Sequence, residues 1–307
     1  MVNYVLRRIF MALVTLLAST IGVSLLIHVV PGDPVMMMMA QNAAATPEAI
    51  ENARRALGLD LPVWQQTLRY LGNILQGDFG RSIFGAEPVS TLLFDRLPNT
   101  LALAFASMVI AVGIGLPLGF YSAYRKGTWV DNVLMVGAVV GVSIPSFWLG
   151  LLLLLFFSLT LELLPVASGD FRSLPLPAIT LGLTYSAIVA RMTRSSMIEV
   201  FAEDYIRTAR AKGLPETIVL RRHALKPSLI AVVTIVAVVF GYLMGGAVVV
   251  ENVFSWNGLG RLALDAILRR DYPVIQGFIL IFATVIVVIS IIIDLAYAWL
   301  DPRISYR

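Results

Sequence analysis

Six apolar runs, 15 to 25 residues long, dominate this sequence and limit what it can fold into. They cover about residues 9–30, 100–121, 133–157, 176–190, 228–250 and 277–300. A helix needs roughly 20 mostly apolar residues to cross the hydrocarbon core of a bilayer. Only 14% of the residues are charged, whereas soluble domains carry about 25%. The sequence therefore predicts an all-α polytopic membrane protein with six transmembrane helices.

The distribution of Lys and Arg predicts how these helices are oriented. Cytosolic loops of membrane proteins carry an excess of both residues. If both termini are cytosolic, the inner segments hold 14 of the 23 Lys and Arg residues and the outer segments hold 9. This orientation puts residues 31–97, a long loop after the first helix, on the outer side. It puts the basic loop of residues 202–227 in the cytosol.

Short amphipathic helices are predicted within the long outer loop. Thr46 is placed as an N-cap, with Pro47 at the first helical position and Glu48 in the first turn. A second helix starts near Pro62 and carries four apolar residues on one side, namely Trp64, Leu68, Leu71 and Leu75. We expect these helices to form a cap on the membrane surface.

The predicted domains are residues 1–98, the first span with its outer loop, and residues 99–307, a core of five spans.

No pattern in the sequence predicts enzyme chemistry. The chain has no cysteine, and its two histidines, His28 and His223, lack partners at metal-ligand spacing. Hydrolase and phosphate-loop motifs are absent as well. Met36 begins a four-methionine run that is interpreted as an interfacial anchor. Asp294, the one acid well inside a span, is a functional candidate or half of a structural ion pair. We predict no catalytic residue, no metal site and no cofactor on this chain.

The polar loop of residues 202–227 is predicted to form two short helices. The first covers residues 203–212 and ends at Gly213, a C′ glycine. Pro215 then opens the second. Helical spacing puts the less polar residues on one face, namely Ala202, Tyr205, Ile206 and Ala209. Such a helix is suited to a groove on a soluble partner, and a plain basic connector is the alternative.

The same loop resembles the coupling loop of ABC importer permeases. That family's pattern is Glu-Ala-Ala, three residues, Gly, nine residues, Ile, one residue, Leu-Pro. Ala209, Gly213 and Leu225 match it. Four positions depart from it, namely Arg207, Thr208, His223 and Lys226.

Strings along the whole chain are similar to the peptide, nickel and glutathione importer branch of that family. They are VPGDP (30–34), GLDLP (58–62), GDFGRS (77–82), YIRTARAKG (205–213), RHALKPS (222–228), ENVFSWNGLGR (251–261), RDYPVIQG (270–277) and DLAYAWLDPRISYR (294–307). Each string is weakly specific. Together, in this order and at matching topology, they are highly specific for the family and much less specific for the substrate. The long outer loop resembles that of the first of two paralogous permease subunits.

This resemblance implies a type I importer fold, the MetI-like fold, in a multi-pass protein of the bacterial inner membrane. The implied partners are a second permease subunit, two ATPase subunits and a periplasmic substrate-binding protein. ATP and Mg²⁺ would be bound by the ATPases and not by this chain. Peptides are the implied cargo, and glutathione, nickel chelates and opines are the other cargoes of the branch.

The resemblance also implies roles for three sets of residues. Coupling to the ATPase is assigned to Glu203, Asp204, Tyr205, Ile206, Arg207, Thr208, Ala209, Arg210, Ala211, Lys212 and Gly213. The translocation path is assigned to Ser143, Pro145, Ser146, Phe147, Gly241, Met244 and Gly245. Contact with the binding protein is assigned to Glu251, Phe254, Trp256, Asp271 and Tyr272. For the glycines, close helix packing is the alternative.

Two other functional classes stay open from the residues alone. One is an ion-coupled or passive carrier or channel that works without ATPase partners. The other is a membrane scaffold with no transport path. No row of acids, histidines or arginines threads the spans, which disfavours an ion relay. Co-purification with two ATPases and a second permease would exclude both classes.

Overall fold

The computed structural model describes residues 2–29, 35–36, 46–56, 58–85, 87–166 and 171–300. Within these ranges the chain is helical, and an isolated antiparallel bridge joins Arg81 to Pro88. The first helices are α1 (Val2–Val29), α2 (Pro47–Ala56), α3 (Val63–Leu75), α4 (Val89–Tyr124), α5 (Trp129–Ser143) and α6 (Ser146–Leu153). The later ones are α7 (Pro175–Ala202), α8 (Asp204–Ala211), α9 (Glu216–Ile218), α10 (Leu225–Val253), α11 (Leu259–Arg269) and α12 (Tyr272–Leu300). The turns of α6 and α9 widen into π-helices, Leu154–Thr160 and Val219–Ala224.

Four of the described helices are long and apolar enough to cross a membrane as single segments, and two bent pairs bring the number to as many as six. The single segments are Arg7–Leu25, Val89–Tyr124, Phe171–Ala202 and Tyr272–Ile292. The bent pairs are Trp129–Ser143 with Ser146–Thr160, at 95°, and Val232–Gly245 with Ala247–Val253, at 46°. The sequence predicted a break in the third apolar run, and α5 does end at Ser143.

Proline chemistry explains the sharper of these bends. Pro145 lies immediately before α6, and Ile144 has extended backbone angles, with φ −80° and ψ 120°. A proline disfavours helical angles at the residue before it and cannot donate a backbone hydrogen bond. α5 therefore stops where the sequence places Pro145.

α4 begins earlier than predicted. Its apolar run starts near residue 100, but the helix begins at Val89. Asp95 and Arg96 interrupt the hydropathy pattern without interrupting the backbone. The amphipathic helices of the loop were predicted more closely. The Thr46 hydroxyl accepts a hydrogen bond from the Ala49 N–H at 3.2 Å, as an N-cap does.

The contacts divide the chain into two compact units. The first contains residues 1–98 and 258–291, and the second contains residues 99–257 and 292–307. Residues 258–291 therefore belong to the first unit, although the sequence-based division grouped them with residues 99–307. That division stays a prediction.

The core of the first unit joins the start of α4 to α11 and α12. Its buried residues are Val89, Leu93, Leu259, Leu262, Ala266, Val274 and Ile281. Gly277 lets α12 approach closely, because a Cβ there would lie 2.7 Å from the Leu93 side chain and 2.8 Å from that of Val89. α1 packs on α3 in the same unit, where the hydroxyls of Ser24 and Thr67 are 2.6 Å apart.

The second unit is built around α7, which packs against α5, α6 and α10. α4 approaches α7 at two glycines. A Cβ on Gly115 would lie 2.5 Å from the Ser186 carbonyl oxygen, and a Cβ on Gly119 would clash with the Ala190 carbonyl. Small residues allow the backbones of neighbouring membrane helices to touch. Gly115 and Gly119 therefore permit the close approach of α4 and α7.

Replacing Gly119 with alanine is expected to force α4 away from α7, since no room exists for the added methyl group. Overpacking of this kind costs about 1–3 kcal/mol. Gly113 is the matched control, because it lies on the same helix and a Cβ there meets nothing within 4 Å. The measurement is the thermal-unfolding midpoint of each purified variant in detergent. Equal midpoints for Gly119→Ala and Gly113→Ala would contradict the packing.

Candidate functional site

α8 is the short helix predicted in the polar loop, and local chemistry sets both of its ends. It covers Asp204–Ala211, one residue shorter at each end than predicted, with Glu203 as N-cap and Lys212 as C-cap. Gly213 follows with φ +75°, and its N–H donates to the Arg210 carbonyl at 2.9 Å. A left-handed residue at C′ is the ordinary role of glycine. The predicted stop at Gly213 is therefore confirmed.

One side of α8 is buried against the protein itself. Ile206 is 0% exposed and Ala209 is 6% exposed. They form a core cluster with Ala123 of α4, Met197 of α7, and Val219 and Ala224 of the following π-helix. Ile206 and Ala209 therefore hold α8 in place and leave little surface for a partner to touch.

The outward side of α8 differs from the predicted division of faces. Tyr205 was grouped with Ile206 and Ala209, yet its side chain is 43% exposed. The supporting core reaches only the narrow stripe of Ile206 and Ala209, and Tyr205 lies about 100° around the helix from Ile206. Two further apolar residues of the loop are exposed, Leu214 at 36% and Ile218 at 42%. Sequence analysis missed both, although each interrupts a polar stretch.

An ion pair closes the turn after α8. The Arg210 guanidinium donates to the two Glu216 carboxylate oxygens at 2.7 and 3.2 Å. These hydrogen bonds lower the pKa of Glu216 and raise the pKa of Arg210. Both side chains are about 40% exposed, so the pair contributes less than about 1 kcal/mol. Its main effect is to orient the turn that contains Gly213.

A buried ion pair connects α7, the helix that leads into α8, to the turn between α4 and α5. Asp131 is 2% exposed. Its carboxylate accepts hydrogen bonds from Arg194 at 2.7 and 2.8 Å, from the Ser122 hydroxyl at 2.5 Å and from the Gly127 N–H at 3.0 Å. We call this group the Asp131 clasp. Arg194 entered the sequence-based prediction only as one of the 14 inner Lys and Arg residues. Asp131, an acid in the first turn of an apolar helix, was the available signal.

The residues predicted to line a path lie around the two bends. Ser143, Pro145 and Phe147 are exposed, and Ser146 is half-buried. A Cβ on Gly241 or Gly245 would meet nothing within 4 Å, so neither glycine serves close helix packing within this chain.

Met244 departs from that prediction. It is 2% exposed and packs inside the second unit. Helix geometry explains the difference, because Met244 points about 100° away from its neighbour Gly245.

Most residues predicted to contact a binding protein are buried, and this corrects the prediction. Glu251 is 0% exposed and accepts a hydrogen bond from the Thr100 hydroxyl at 2.7 Å. The Trp256 indole N–H donates to the Asn99 carbonyl at 3.1 Å. Phe254, 2% exposed, fills the space beside Gly150. These side chains brace their loop from within.

The same correction holds for Asp271 in the first unit. Its carboxylate accepts hydrogen bonds from the Ser82 hydroxyl at 2.5 Å and the Ile83 N–H at 3.2 Å. Its side chain is 4% exposed.

Tyr272 is half-buried, whereas Ser255 and Asn257 are exposed. Ser255 and Asn257 are therefore better placed for contact than the residues chosen from sequence.

Among the described residues, no group of three His, Asp or Glu side chains is arranged to hold a metal ion. The side chains of His28 and Asp294 lie outside the described part of the chain. The Met37–Met39 part of the methionine run, the residues 30–34 and the residues 301–307 also lie outside it.

Truncating Ile206 is expected to detach α8 from its support. An Ile→Ala change at a buried site costs about 2–5 kcal/mol. Tyr205→Ala is the matched control, because an exposed substitution changes stability by less than about 1 kcal/mol. Thermal unfolding of the purified variants in detergent measures both. Similar midpoints for the two would show that the apolar stripe does not anchor the helix.

Breaking the Asp131 clasp from one side is expected to destabilise the protein strongly. Arg194→Gln leaves a buried carboxylate without its cation, which costs about 3 kcal/mol. Arg191→Gln, an exposed position one turn away on α7, is the matched control. Melting midpoints in detergent test this expectation. A midpoint for Arg194→Gln equal to that of the control would contradict it.

Two family models match this chain. The model described as binding-protein-dependent transport system inner membrane component matches residues 115–306. The model for the N-terminal part of such membrane components matches residues 1–104.

Curated relatives match along the whole length. The glutathione transport system permease protein GsiC of Salmonella paratyphi A (strain ATCC 9150 / SARB42) is 43% identical over 308 residues, and that of Escherichia coli (strain K12) is 42% identical. Each alignment covers 100% of both chains.

Solved structures share the fold. A chain of the inward-facing MetNI methionine ABC transporter aligns with a TM-score of 0.60 at 20% identity, covering 70% of this chain and 99% of that chain. An amino acid ABC transporter with histidines aligns with a TM-score of 0.51 at 19% identity, covering 68% and 94%. The helical architecture is thus that of MetI-like permeases. This chain belongs to the family of binding-protein-dependent transport system inner membrane components, as a multi-pass permease subunit of an ABC importer.

Proposed function

We propose that this chain forms half of a translocation path for peptides or related small solutes. Membership in the family implies ATPase and substrate-binding partners. The proposal adds a second, paralogous permease that encloses the other half of the path. It also adds six spans with both termini in the cytosol, and ATP with Mg²⁺ bound only by the ATPase subunits. The carrier and scaffold alternatives are set aside, because the family's transport is binding-protein-dependent.

The packing of α8 is the observation that supports this proposal. The helix is fixed by its buried stripe and leaves a compact outer face. That face comprises Asp204, Tyr205, Arg207, Thr208, Ala211 and Lys212, all exposed. Together with the exposed Leu214 and Ile218, it offers charge and apolar surface to a groove on a partner. A helix that packs against its own chain on one side and is exposed on the other can transmit the movement of a bound partner to the membrane helices.

In the proposed mechanism, contacts within this chain transmit the movement of the ATPases to the membrane helices. ATP-driven closure of the ATPases would move α8 through its outer face. Ile206 and Ala209 transfer the movement to the core cluster with Met197 on α7. The Asp131 clasp couples α7 to the α4–α5 turn, so the helices on either side of that turn move with α7. The free energy comes from ATP bound to other chains, and this chain transmits the resulting movement to its own helices.

The proposed path follows the bends of the helices. Ser143, Pro145, Ser146 and Phe147 at the first bend, and Gly241 and Gly245 near the second, are assigned to its lining. Met244 is left out because it is buried. Helices interrupted by Pro and Gly are tolerated in a membrane where protein or a water-filled cavity surrounds the break. Hydrated peptide-like cargo suits such a lining.

The proposed cargo class rests on the relatives, which are named for glutathione transport. Glutathione is itself a small peptide, so a peptide-like cargo covers both it and ordinary di- and oligopeptides. Uptake of labelled glutathione by cells expressing the complete importer tests the class, with unlabelled tripeptides as competitors. Competition by tripeptides would favour a broad peptide importer. Its absence, with strong glutathione uptake, would narrow the cargo to glutathione.

Tyr205→Glu is expected to uncouple ATP hydrolysis from uptake. An added charge on the outer face disturbs the contact between α8 and the ATPase groove without changing the buried residues Ile206 and Ala209. We expect uptake by the reconstituted importer to fall tenfold or more, while ATP hydrolysis continues and the melting midpoint stays unchanged. Tyr205→Phe is the conservative control and should transport normally. Normal import by Tyr205→Glu would exclude this face as the coupling surface.

A further inference from the structure

Three large apolar side chains of α3 are exposed along one side of the helix. Trp64 is 61% exposed, Leu68 59% and Leu75 89%. With 3.6 residues per turn, the three lie within about 40° of one another around the helix axis, and we call them the α3 stripe. Exposure of this much apolar surface to water is unfavourable. The α3 stripe therefore needs something outside this part of the chain to cover it.

The side of α3 next to the stripe packs against α1. Thr67 is 7% exposed, and its hydroxyl lies 2.6 Å from the hydroxyl of Ser24, which is 1% exposed. Arg69 is the one charged residue of α3, and it lies about 100° around the axis from Leu68, on the side away from Trp64. The α3 stripe itself is therefore free of charge.

The contact with α1 sets the level of α3 along that helix. α1 contains the candidate span Arg7–Leu25, and Ser24 lies in the last turn of the span. At 1.5 Å per residue, Ser24 is about 26 Å along the axis from Arg7. The hydrocarbon core of a bilayer is about 30 Å thick. α3 therefore meets α1 at the edge of the hydrocarbon core, at the end of the span opposite Arg7 and Arg8.

The surface of α1 indicates what surrounds α3 at this level. Among the described side chains of α1, the buried ones are Thr20, Val23 and Ser24, all near the end that meets α3. Ile21 and Leu25 belong to the same turns and are 36% and 51% exposed. Exposed apolar side chains at this point of a span lie in lipid at the edge of the hydrocarbon core. The α3 stripe continues this apolar surface sideways from α1.

The composition of α3 suits the boundary between lipid and water. Tryptophan is enriched at membrane interfaces. A helix with one apolar and one polar side lies in the plane of the interface, with its apolar side about 5–10 Å into the acyl boundary. α2, the neighbouring helix of the same loop, is the contrasting case. It carries four charged residues in ten, namely Glu48, Glu51, Arg54 and Arg55, and is suited to water.

We propose that α3 inserts the α3 stripe into lipid beside the end of α1 and anchors the loop of residues 31–97 to the membrane surface. The partner is the acyl region of the bilayer. Because the stripe has no charge, zwitterionic lipid is sufficient and no anionic headgroup is needed. The choice of the outer leaflet rests on the proposed cytosolic N-terminus, whereas insertion itself does not. The anchor works without ATPases, binding protein or cargo.

The test uses the full chain, which has no cysteine, in phosphatidylcholine nanodiscs with one chain per disc. Leu68→Cys, Leu75→Cys and Arg69→Cys are prepared singly and labelled with bimane. A lipid with a nitroxide near the headgroup end of its acyl chain quenches the label from within the bilayer, and iodide quenches it from water. Arg69→Cys is the matched control, because Arg69 is exposed on the same helix but lies outside the stripe.

The nitroxide lipid should quench the labels at Leu68→Cys and Leu75→Cys at least about threefold more than the label at Arg69→Cys, since the stripe lies in the acyl boundary. Iodide should give the opposite order. Both leaflets of a nanodisc contain the quencher, so the result does not depend on the orientation of the chain.

Three results would overturn the anchor. Equal nitroxide quenching at the stripe positions and at Arg69→Cys would show that the stripe is not turned towards lipid. Stronger quenching of the stripe positions by iodide than by the nitroxide lipid would place α3 in water above the membrane. Protection of both stripe positions from both quenchers would show that protein covers them. No ATPase or uptake enters the measurement, so these outcomes are independent of the coupling proposal.

Discussion

The close approach of α4 and α7 is the contact on which the second unit depends. Gly115 and Gly119 let the α7 backbone lie directly on α4, so α7 becomes the central helix of this unit. Its last three turns then bring Arg194 to Asp131 and Met197 to the stripe beneath α8. A side chain at either glycine would displace both contacts together. The support of α8 therefore begins with two missing side chains on the neighbouring turns of α4.

Three acids are buried among the described residues, and each has a hydrogen-bond partner. Asp131 pairs with Arg194, Glu251 with Thr100, and Asp271 with Ser82. An ionised group away from water is tolerated only with such partners. The Asp131–Arg194 pair joins α5 to α7, the Glu251–Thr100 pair joins α10 to α4, and the Asp271–Ser82 pair joins two loop segments of the first unit. The segments around residues 251–257 and 271–272, which the sequence suggested as interaction surfaces, are therefore stabilised by buried contacts, and only a few of their residues are exposed.

Local rules explain which features could be predicted. Helix positions followed apolar run length, the break followed Pro145, and the end of α8 followed Gly213, because each depends on a few neighbouring residues. Tyr205, Met244 and Glu251 were placed less well. Their neighbours belong to other helices. Helical periodicity predicts the direction in which a side chain points, but it does not predict which segment packs on that side.

The sequence by itself determined that this chain is a helical membrane protein, where most helices run, and which importer family it resembles. Hydrophobic length, proline, glycine and charge act locally, so they can be read in order along the chain. Only the tertiary structure decided which side of α8 is exposed and which acids are buried with a hydrogen-bond partner. Those outcomes depend on packing between segments far apart in the chain, where burial and partner geometry outweigh the preference of any single residue.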